Sequence, residues 1–300
     1  MTPVNVLQLD GEQIKLAIQK DGRLTEATLQ LLRTAGLQFE SAKQRLFSVC
    51  RNFPLAILYV RDDDIPEYVA DGVADLGIVG QNLVREAERP VEELLPLNYG
   101  HCTLMVAVPR ESHIQAVEQL AGCKIATSYP VTTRQFFQER GINVDITTIS
   151  GSVELAPTLG VSTAIVDLVS SGSSLKLNDL VPLESVLQSQ AALIANPTTF
   201  KDEQKSIKSI ILNRLLMRLN GVINARSYKY IMMNAPREAL PSIVELAAGM
   251  HSPTVLPTAD PDWISVHIAV AEDVFWESIE QLRSLGAQGI LVSPIEKLFL

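Results

Sequence analysis

Gly151-Ser-Val-Glu-Leu-Ala-Pro-Thr-Leu-Gly160, followed by Val161-Ser-Thr-Ala-Ile-Val-Asp-Leu-Val-Ser-Ser-Gly-Ser-Ser-Leu175, is the stretch around which the chain is organised. From Ala164 to Val169 it is a β-forming apolar run broken only by Asp167. The run empties into Ser170, Ser171, Gly172, Ser173 and Ser174, where small hydroxyl residues flank a glycine. A strand ending in such a loop can turn backbone N–H groups and hydroxyls toward one phosphate, because glycine admits the φ required and small side chains allow close approach. Each hydrogen bond to a charged oxygen contributes roughly 1.5 to 3 kcal/mol, so a few of them hold a phosphate without a lysine. Asp167, at the mouth of the strand, suits the vicinal hydroxyls of a ribose. A Ser/Gly-rich turn after a buried strand is the structural alternative for the loop taken alone.

Working outward, 300 residues are enough for two or three domains with sizeable cores. No apolar run reaches the length of a membrane span, and no charged and apolar signal pattern opens the chain, so a soluble, cytoplasmic protein is expected. Cys50, Cys102 and Cys123 are odd in number and free of C-x-x-C spacing, which argues against a disulfide framework and a structural zinc. They read as small buried hydrophobes. The net charge of −9 argues against a nucleic-acid surface and repels anions at long range, so an anion site must be built from local donors.

Upstream, Lys15 to Ile18 reads as a strand, and Gln19 to Leu24 as the turn after it. Thr25 is placed to cap a helix with Ala27, Leu31 and Ala35 on one stripe, which Gly36 ends. Lys20 and Arg23 thus fall at a strand-to-helix junction, where ligands collect in open α/β sheets. Leu55 to Val60 is a second strand. After it, Arg61 is a candidate bidentate anion ligand. Asp62, Asp63 and Asp64 are expected to cap the next helix, with Mg²⁺ binding as the alternative. Further strands are predicted at Val73 to Gly80, Cys102 to Val108, Lys124 onward and Val144 to Ile149, with a helix capped by Thr132 or Thr133 and closed by Gly141. A long helix is predicted from Asp202 to Asn220, stopping before Gly221. No Pro-, Gly- or Ser-rich linker separates these parts, which indicates two α/β lobes sharing crossings.

From about residue 225 the pattern becomes β-α-β-β-α-β, the ferredoxin-like order. Its strands are expected at Tyr228 to Asn234, Thr254 to Leu256, Ile264 to Val270 and Gly289 to Val292, and its helices at Arg237 to Ala248 and Val274 to Leu285. Such a unit leaves one sheet face free to pair with another subunit. Trp263 and Trp276 read as packing residues, and His251 and His267 lack metal-ligand spacing.

The run Glu154, Gly160, Ser162, Ile165, Asp167, Leu168, Ser171, Gly172, Ser174, Leu175 resembles the signature of the ATP phosphoribosyltransferase family. Gln19-Lys20-x-Gly22-Arg23-Leu24, Arg61-x-x-Asp64-Ile65-Pro66, Asp75-Leu-Gly-Ile-x-Gly80, Ile125-Ala-Thr-Ser-Tyr-Pro130 and Ser252-Pro253-Thr254 add to the resemblance in the family's order. It departs at Ser174, where threonine is common, at Thr163, where many members carry aspartate, and at His101, in place of a common glycine.

The resemblance implies an α/β protein with a two-lobed catalytic region like a type II periplasmic binding protein and a C-terminal ferredoxin-like, ACT-like regulatory domain. The lobes would be residues 1–107 with 195–224, and 108–194, and the regulatory domain 225–300. It implies transfer of the phosphoribosyl group of phosphoribosyl pyrophosphate (PRPP) to N1 of ATP with Mg²⁺, and feedback inhibition by histidine. Self-association to a dimer or hexamer is also implied, without nucleic acid or membrane. Carried over, Asp167 would hold the ribose hydroxyls and Ser170 to Ser174 the 5′-phosphate. Lys20, Arg23 and Arg61 would face the pyrophosphate or triphosphate. Glu154 would lie near the cleft without acting as a named base. Asn234, Ser252 and Thr254 would bind histidine. A catalytically silent regulatory homologue and a two-lobed small-ligand sensor are the alternatives.

Overall fold

The computed structural model describes residues 13–41, 46–170, 172–199, 206–246 and 253–300. The chain divides into two compact units, Met1–Gln30 with Leu37–Leu212, and Leu31–Gly36 with Asn213–Leu300. The first lobe begins with β1 (Ile14–Gln19), α1 (Thr25–Thr34), β2 (Phe47–Val49) and β3 (Leu55–Val60), and continues through α2 (Ile65–Ala70), β4 (Leu76–Gly80), α3 (Gln81–Ala87) and β5 (Glu92–Pro96). The chain then crosses into a second sheet with β6 (Cys102–Pro109), β7 (Lys124–Thr127), α4 (Pro130–Glu139), β8 (Asp145–Thr148), β9 (Ala164–Val169), α5 (Ser173–Leu177) and β10 (Leu180–Ser189). It returns to the first sheet as β11 (Ala191–Ala195).

The two sheets repeat one plan. The first runs β2-β3-β1-β4-β11-β5 and the second β10-β6-β9-β7-β8. In each, three strands pair in parallel and the strand arriving from the other lobe inserts antiparallel beside them: β11 against β4, β6 against β9. This double crossing is the type II periplasmic-binding-protein arrangement. The parallel strands are covered on both faces, which is why they read as continuous apolar runs rather than alternating ones. Ile14, Leu16, Ala17, Ile18, Leu55 and Ile57 are inaccessible to solvent in one lobe, and Leu104, Val106, Ile125 and Val166 in the other.

The crossings fall at residues 97–101 and at Gln190, because Cys102–Pro109 is a strand of the second sheet and Ala191–Ala195 a strand of the first. The boundaries expected at 107/108 and 194/195 therefore move to these points. The two crossing segments bind each other, with Leu97 N–H donating to Ala191 O and Ala191 N–H to Tyr99 O, both at 2.9 Å. In Asp75-Leu-Gly-Ile, the Asp75 carboxylate is 3% exposed and accepts from Lys15 N–H and Lys208 Nζ at 2.8 Å each.

Several local expectations change. Of the three acidic residues, which form a 3-10 turn, Asp64 holds the N-cap position of α2 but makes no side-chain cap hydrogen bond, Asp62 accepts from Gln19, and Asp63 faces Arg61. Thr132 and Thr133 lie buried inside α4, which Pro130 opens. Thr25 is the first residue of α1, and its hydroxyl donates to Gln19 O at 3.3 Å. The long helix, α6 (Ile207–Arg226), runs through Gly221 instead of stopping before it. Leu219, Val222 and Ala225 are buried around that glycine, and a Cβ there would lie 2.8 Å from the Phe299 ring.

The second unit holds β12 (Tyr228–Pro236), α7 (Leu240–Leu246), β13 (Thr254–Pro257), β14 (Trp263–Ala271), α8 (Glu272–Ser284) and β15 (Gln288–Pro294). Its antiparallel sheet is ordered β13-β14-β12-β15, the ferredoxin-like arrangement. Strict alternation buries Ile231, Met233, Ala235, Ile264, Val266, Ile268 and Val270 against Ile243 and Leu282 from the helices. Trp276 is 71% exposed, so it is not the packing residue expected. Cys50 and Cys102 are buried, Cys123 is half-buried, and all three are free thiols. No described helix is long and apolar enough to cross a membrane.

Candidate functional site

Asp167 lies on β9, opposite Met105 of β6, two residues before the strand ends. It is half-buried, and its Oδ1 accepts the Leu168 N–H at 2.8 Å. Burial raises its carboxyl above the usual carboxylate range. The Leu168 N–H works against that shift, and the neighbouring Glu154 adds to it. Past the strand the chain turns through Gly172, whose φ of +74° is the left-handed conformation that glycine takes without strain. It then enters the short helix α5, where Lys176 N–H is bonded back to Gly172 O at 3.2 Å. Glu154 arrives from the 3-10 turn Val153–Leu155.

Glu154, Asp167, Ser170, Gly172 and Ser174 line one cavity of about 240 Å³ together with Leu168, Val169 and Leu175. The structure thus brings together four of the six residues expected to form the cradle, together with Glu154. Ser173 opens α5 and is not among the lining residues. Ser171 lies outside the described residues. A second cavity, of about 250 Å³, is lined by Gln81, His101, Cys102, Gln188 and Gln190 near the crossing strands and shares Val169 and Ser170 with the first.

In the first lobe, Lys20 and Arg61 are neighbours because β1 and β3 pair in parallel with Gln19 opposite Val60, so each cation is the residue after a paired strand end. Lys20 N–H donates to Val60 O at 2.8 Å. Arg61 is exposed, with Nη2 3.4 Å from Asp63 Oδ2. Arg23 behaves differently from the open anion ligand expected. Its Nη1 donates to Gly100 O at 2.7 Å and its Nη2 to Cys102 Sγ at 3.3 Å, so the guanidinium rests on the crossing segment.

Three residues of the site were not singled out by sequence reasoning. Gln19, which the sequence offered only as the first residue of the Gln19-Lys20-x-Gly22-Arg23-Leu24 run, is 7% exposed and hydrogen-bonds both Leu24 and Asp62. Tyr129, at the entrance to α4, has its phenol pushed up by burial and then by Asp167, Cys102, Asp62 and Asp63, so charges from both lobes reach it. Glu86 of α3 accepts from Val131 N–H at 2.8 Å and Thr132 N–H at 2.9 Å, which caps α4 from the other lobe. Nothing local in the sequence announces that cap.

Asn234 and Thr254 are exposed. Thr254 pairs with His267, which pairs with Met232, two residues from Asn234 on the same strand, so Asn234 and Thr254 both lie on the open sheet face, two strand spacings across and two residues along, about 12 Å apart. Ser252 lies outside the described residues. Among the described residues no group of three or more His, Cys, Asp or Glu is placed to hold a metal ion.

A family model described as ATP phosphoribosyltransferase matches residues 61–220, and one described as HisG, C-terminal domain, matches residues 225–297. An ATP phosphoribosyltransferase from Parabacteroides distasonis is 44% identical over 285 residues, 95% of this chain and 99% of that one. One from Cytophaga hutchinsonii is 45% identical over 95% of this chain and 98% of that one. Among solved structures, a chain of the ATP phosphoribosyl transferase (HisG:HisZ) complex from Thermotoga maritima is 28% identical, with a TM-score of 0.59 over 69% of this chain and 98% of its own length.

Proposed function

The chain belongs to the ATP phosphoribosyltransferase family and catalyses the first step of histidine biosynthesis, and on that premise we propose how its residues divide the reaction. Adenine N1 of ATP attacks C1 of the PRPP ribose, the N1–C1 bond forms, and pyrophosphate leaves from that carbon. N1 carries a lone pair at neutral pH, so the step needs alignment, charge stabilisation and exclusion of water more than a strong base. Orientation alone contributes on the order of 7 to 11 kcal/mol.

In this reading Asp167 accepts hydrogen bonds from the ribose hydroxyls, and the loop from Ser170 to Ser174 cradles the 5′-phosphate. Lys20 and Arg61 draw charge from the departing pyrophosphate. Arg23 joins them from its place on the crossing segment. The observation that carries the assignment is the single cavity shared by Asp167, Ser170, Gly172, Ser174 and Glu154. Its two carboxylates, Glu154 and Asp167, would hold Mg²⁺ only together with phosphate oxygens and water, so the ion would accompany the substrate. When bound, it would neutralise charge on the pyrophosphate oxygens.

The C-terminal unit is read as a regulatory domain that binds histidine through Asn234, Ser252 and Thr254 and supports a dimer or hexamer, in an enzyme of the cytoplasm. An assay with ATP, PRPP and Mg²⁺, with pyrophosphatase present, tests both parts. Product that histidine suppresses is expected, and Asn234→Ala is expected to weaken the suppression while leaving turnover unchanged. Product insensitive to histidine would remove the effector assignment. No product from folded protein would remove the site assignment.

A further inference from the structure

We propose that Gln19 is a positioning residue that sets the spacing of the pyrophosphate-facing cations, an inference that rests on the reading of Lys20 and Arg61 given above. Gln19 is the last residue of β1 and is 7% exposed, whereas Lys20 is half-buried and Arg23 and Arg61 are exposed. A buried amide must satisfy both its donor and its acceptor. Here Oε1 accepts Leu24 N–H at 2.9 Å, which closes the loop from residue 19 to 24. Nε2 donates to Asp62 Oδ2 at 2.8 Å, which ties that loop to the turn following β3. Lys20 and Arg23 project from the first segment, and Arg61 immediately precedes Asp62 in the second.

Gly22 completes the lock. With φ at +150°, it lies over the amide so closely that a Cβ there would stand 2.2 Å from Gln19 Nε2. The amide is chemically specific at this point. A carboxylate would face Asp62 with like charge, and an apolar side chain would leave both Leu24 N–H and Asp62 without the partner they now have.

The test uses the full-length enzyme and two binding probes, pyrophosphate for the first lobe and ribose 5-phosphate for the second. Gln19→Met is expected to weaken pyrophosphate binding by roughly tenfold or more, the loss of a hydrogen bond to a charged group together with the spacing it holds. Ribose 5-phosphate binding should stay near wild type, while the melting temperature falls by a few degrees because the buried Leu24 N–H loses its acceptor. Gln19→Glu should lose pyrophosphate binding as well. Combining it with Asp62→Asn should restore most of it, since a glutamate can accept from both Leu24 N–H and the new amide.

Unchanged pyrophosphate binding in Gln19→Met would overturn the inference. So would an equal fall for both probes, which is the mark of a general structural role, or failure of the exchanged pair to recover. Lys20→Ala separates this inference from the reading beneath it. If Lys20→Ala leaves pyrophosphate binding intact, the cation assignment falls and the Gln19 role falls with it. If Lys20→Ala weakens binding and Gln19→Met does not, only the positioning role falls.

Discussion

In the second lobe the turn after β9 offers neutral hydroxyls and a left-handed glycine, whereas in the first lobe Lys20 and Arg61 leave neighbouring strands as full charges. Both serve an anion in the proposed reading, and they depend on different things. A neutral cradle works through backbone direction, so it is sensitive to geometry and nearly indifferent to salt. A pair of cations tolerates small displacements but is screened in solution over about 8 Å at physiological ionic strength. In a chain of net charge −9, the cations also act against the long-range field. The contrast suits a substrate that must be held at one end and released at the other.

The largest expected effect falls in the second lobe, at the carboxyl beside the neutral turn. Asp167→Asn should lower kcat/KM for PRPP on the order of 10²-fold, since charge-assisted bonds to two hydroxyls are weakened. Its effect on stability has the opposite sign. Because burial raises the folded carboxyl, the native state holds its proton more tightly than the unfolded chain. The contribution of this group to stability is therefore present at low pH and lost as pH rises through the raised folded value. Above that value the asparagine variant should be at least as stable as wild type, measured by calorimetry, and should lose the acid limb that Asp167 gives to the pH profile of kcat/KM. A less stable variant with normal kinetics would make Asp167 structural and erase the comparison.

Arg61→Ala should cost roughly tenfold in kcat/KM, and the wild-type enzyme should lose more of its pyrophosphate affinity than of its ribose 5-phosphate affinity when ionic strength is raised. Equal salt sensitivity of the two probes would mean that the lobes do not differ as described. The smallest effect is Gly172→Ala. The left-handed conformation costs an alanine about 1 to 2 kcal/mol, while the nearest described atom beyond its chain neighbours, Val169 Cγ1, is 4.0 Å from the added Cβ. A several-fold rise in KM for PRPP with unchanged pyrophosphate binding is expected. A larger loss for pyrophosphate than for ribose 5-phosphate would reverse the assignment of the two lobes.

The two lobes also differ in how readable they were. The cradle is contiguous in sequence, so Asp167, Gly172 and Ser174 could be picked out from one run of residues. The first-lobe site is assembled from turns after two strands that pair in parallel, with residue 20 beside residue 61. Its lock, Gln19, reads in the sequence as the first residue of a turn and of a motif, with no role of its own. Arg23 was read as a cation facing the pyrophosphate or triphosphate, but a guanidinium will take a nearby carbonyl, and Gly100 O was supplied by a segment 77 residues away.

Strand positions were legible because strands buried on both faces must be apolar throughout, and the C-terminal unit because one face is buried and its strands alternate. The sequence by itself determined those elements, the turn after β9 and the order of the units, since each depends on neighbours a few residues apart. Only the tertiary structure decided the rest. Gly221 lies within a helix whose Leu219, Val222 and Ala225 are buried, and the Phe299 ring stands 2.8 Å from where a Cβ would be, while Glu86 caps α4 from the other lobe. The crossings fall at residues 97–101 and 190 because that is where backbone hydrogen bonds change sheets. These outcomes depend on which distant groups are close enough to satisfy a buried donor or fill a space. Local sequence does not encode that proximity until the chain has folded.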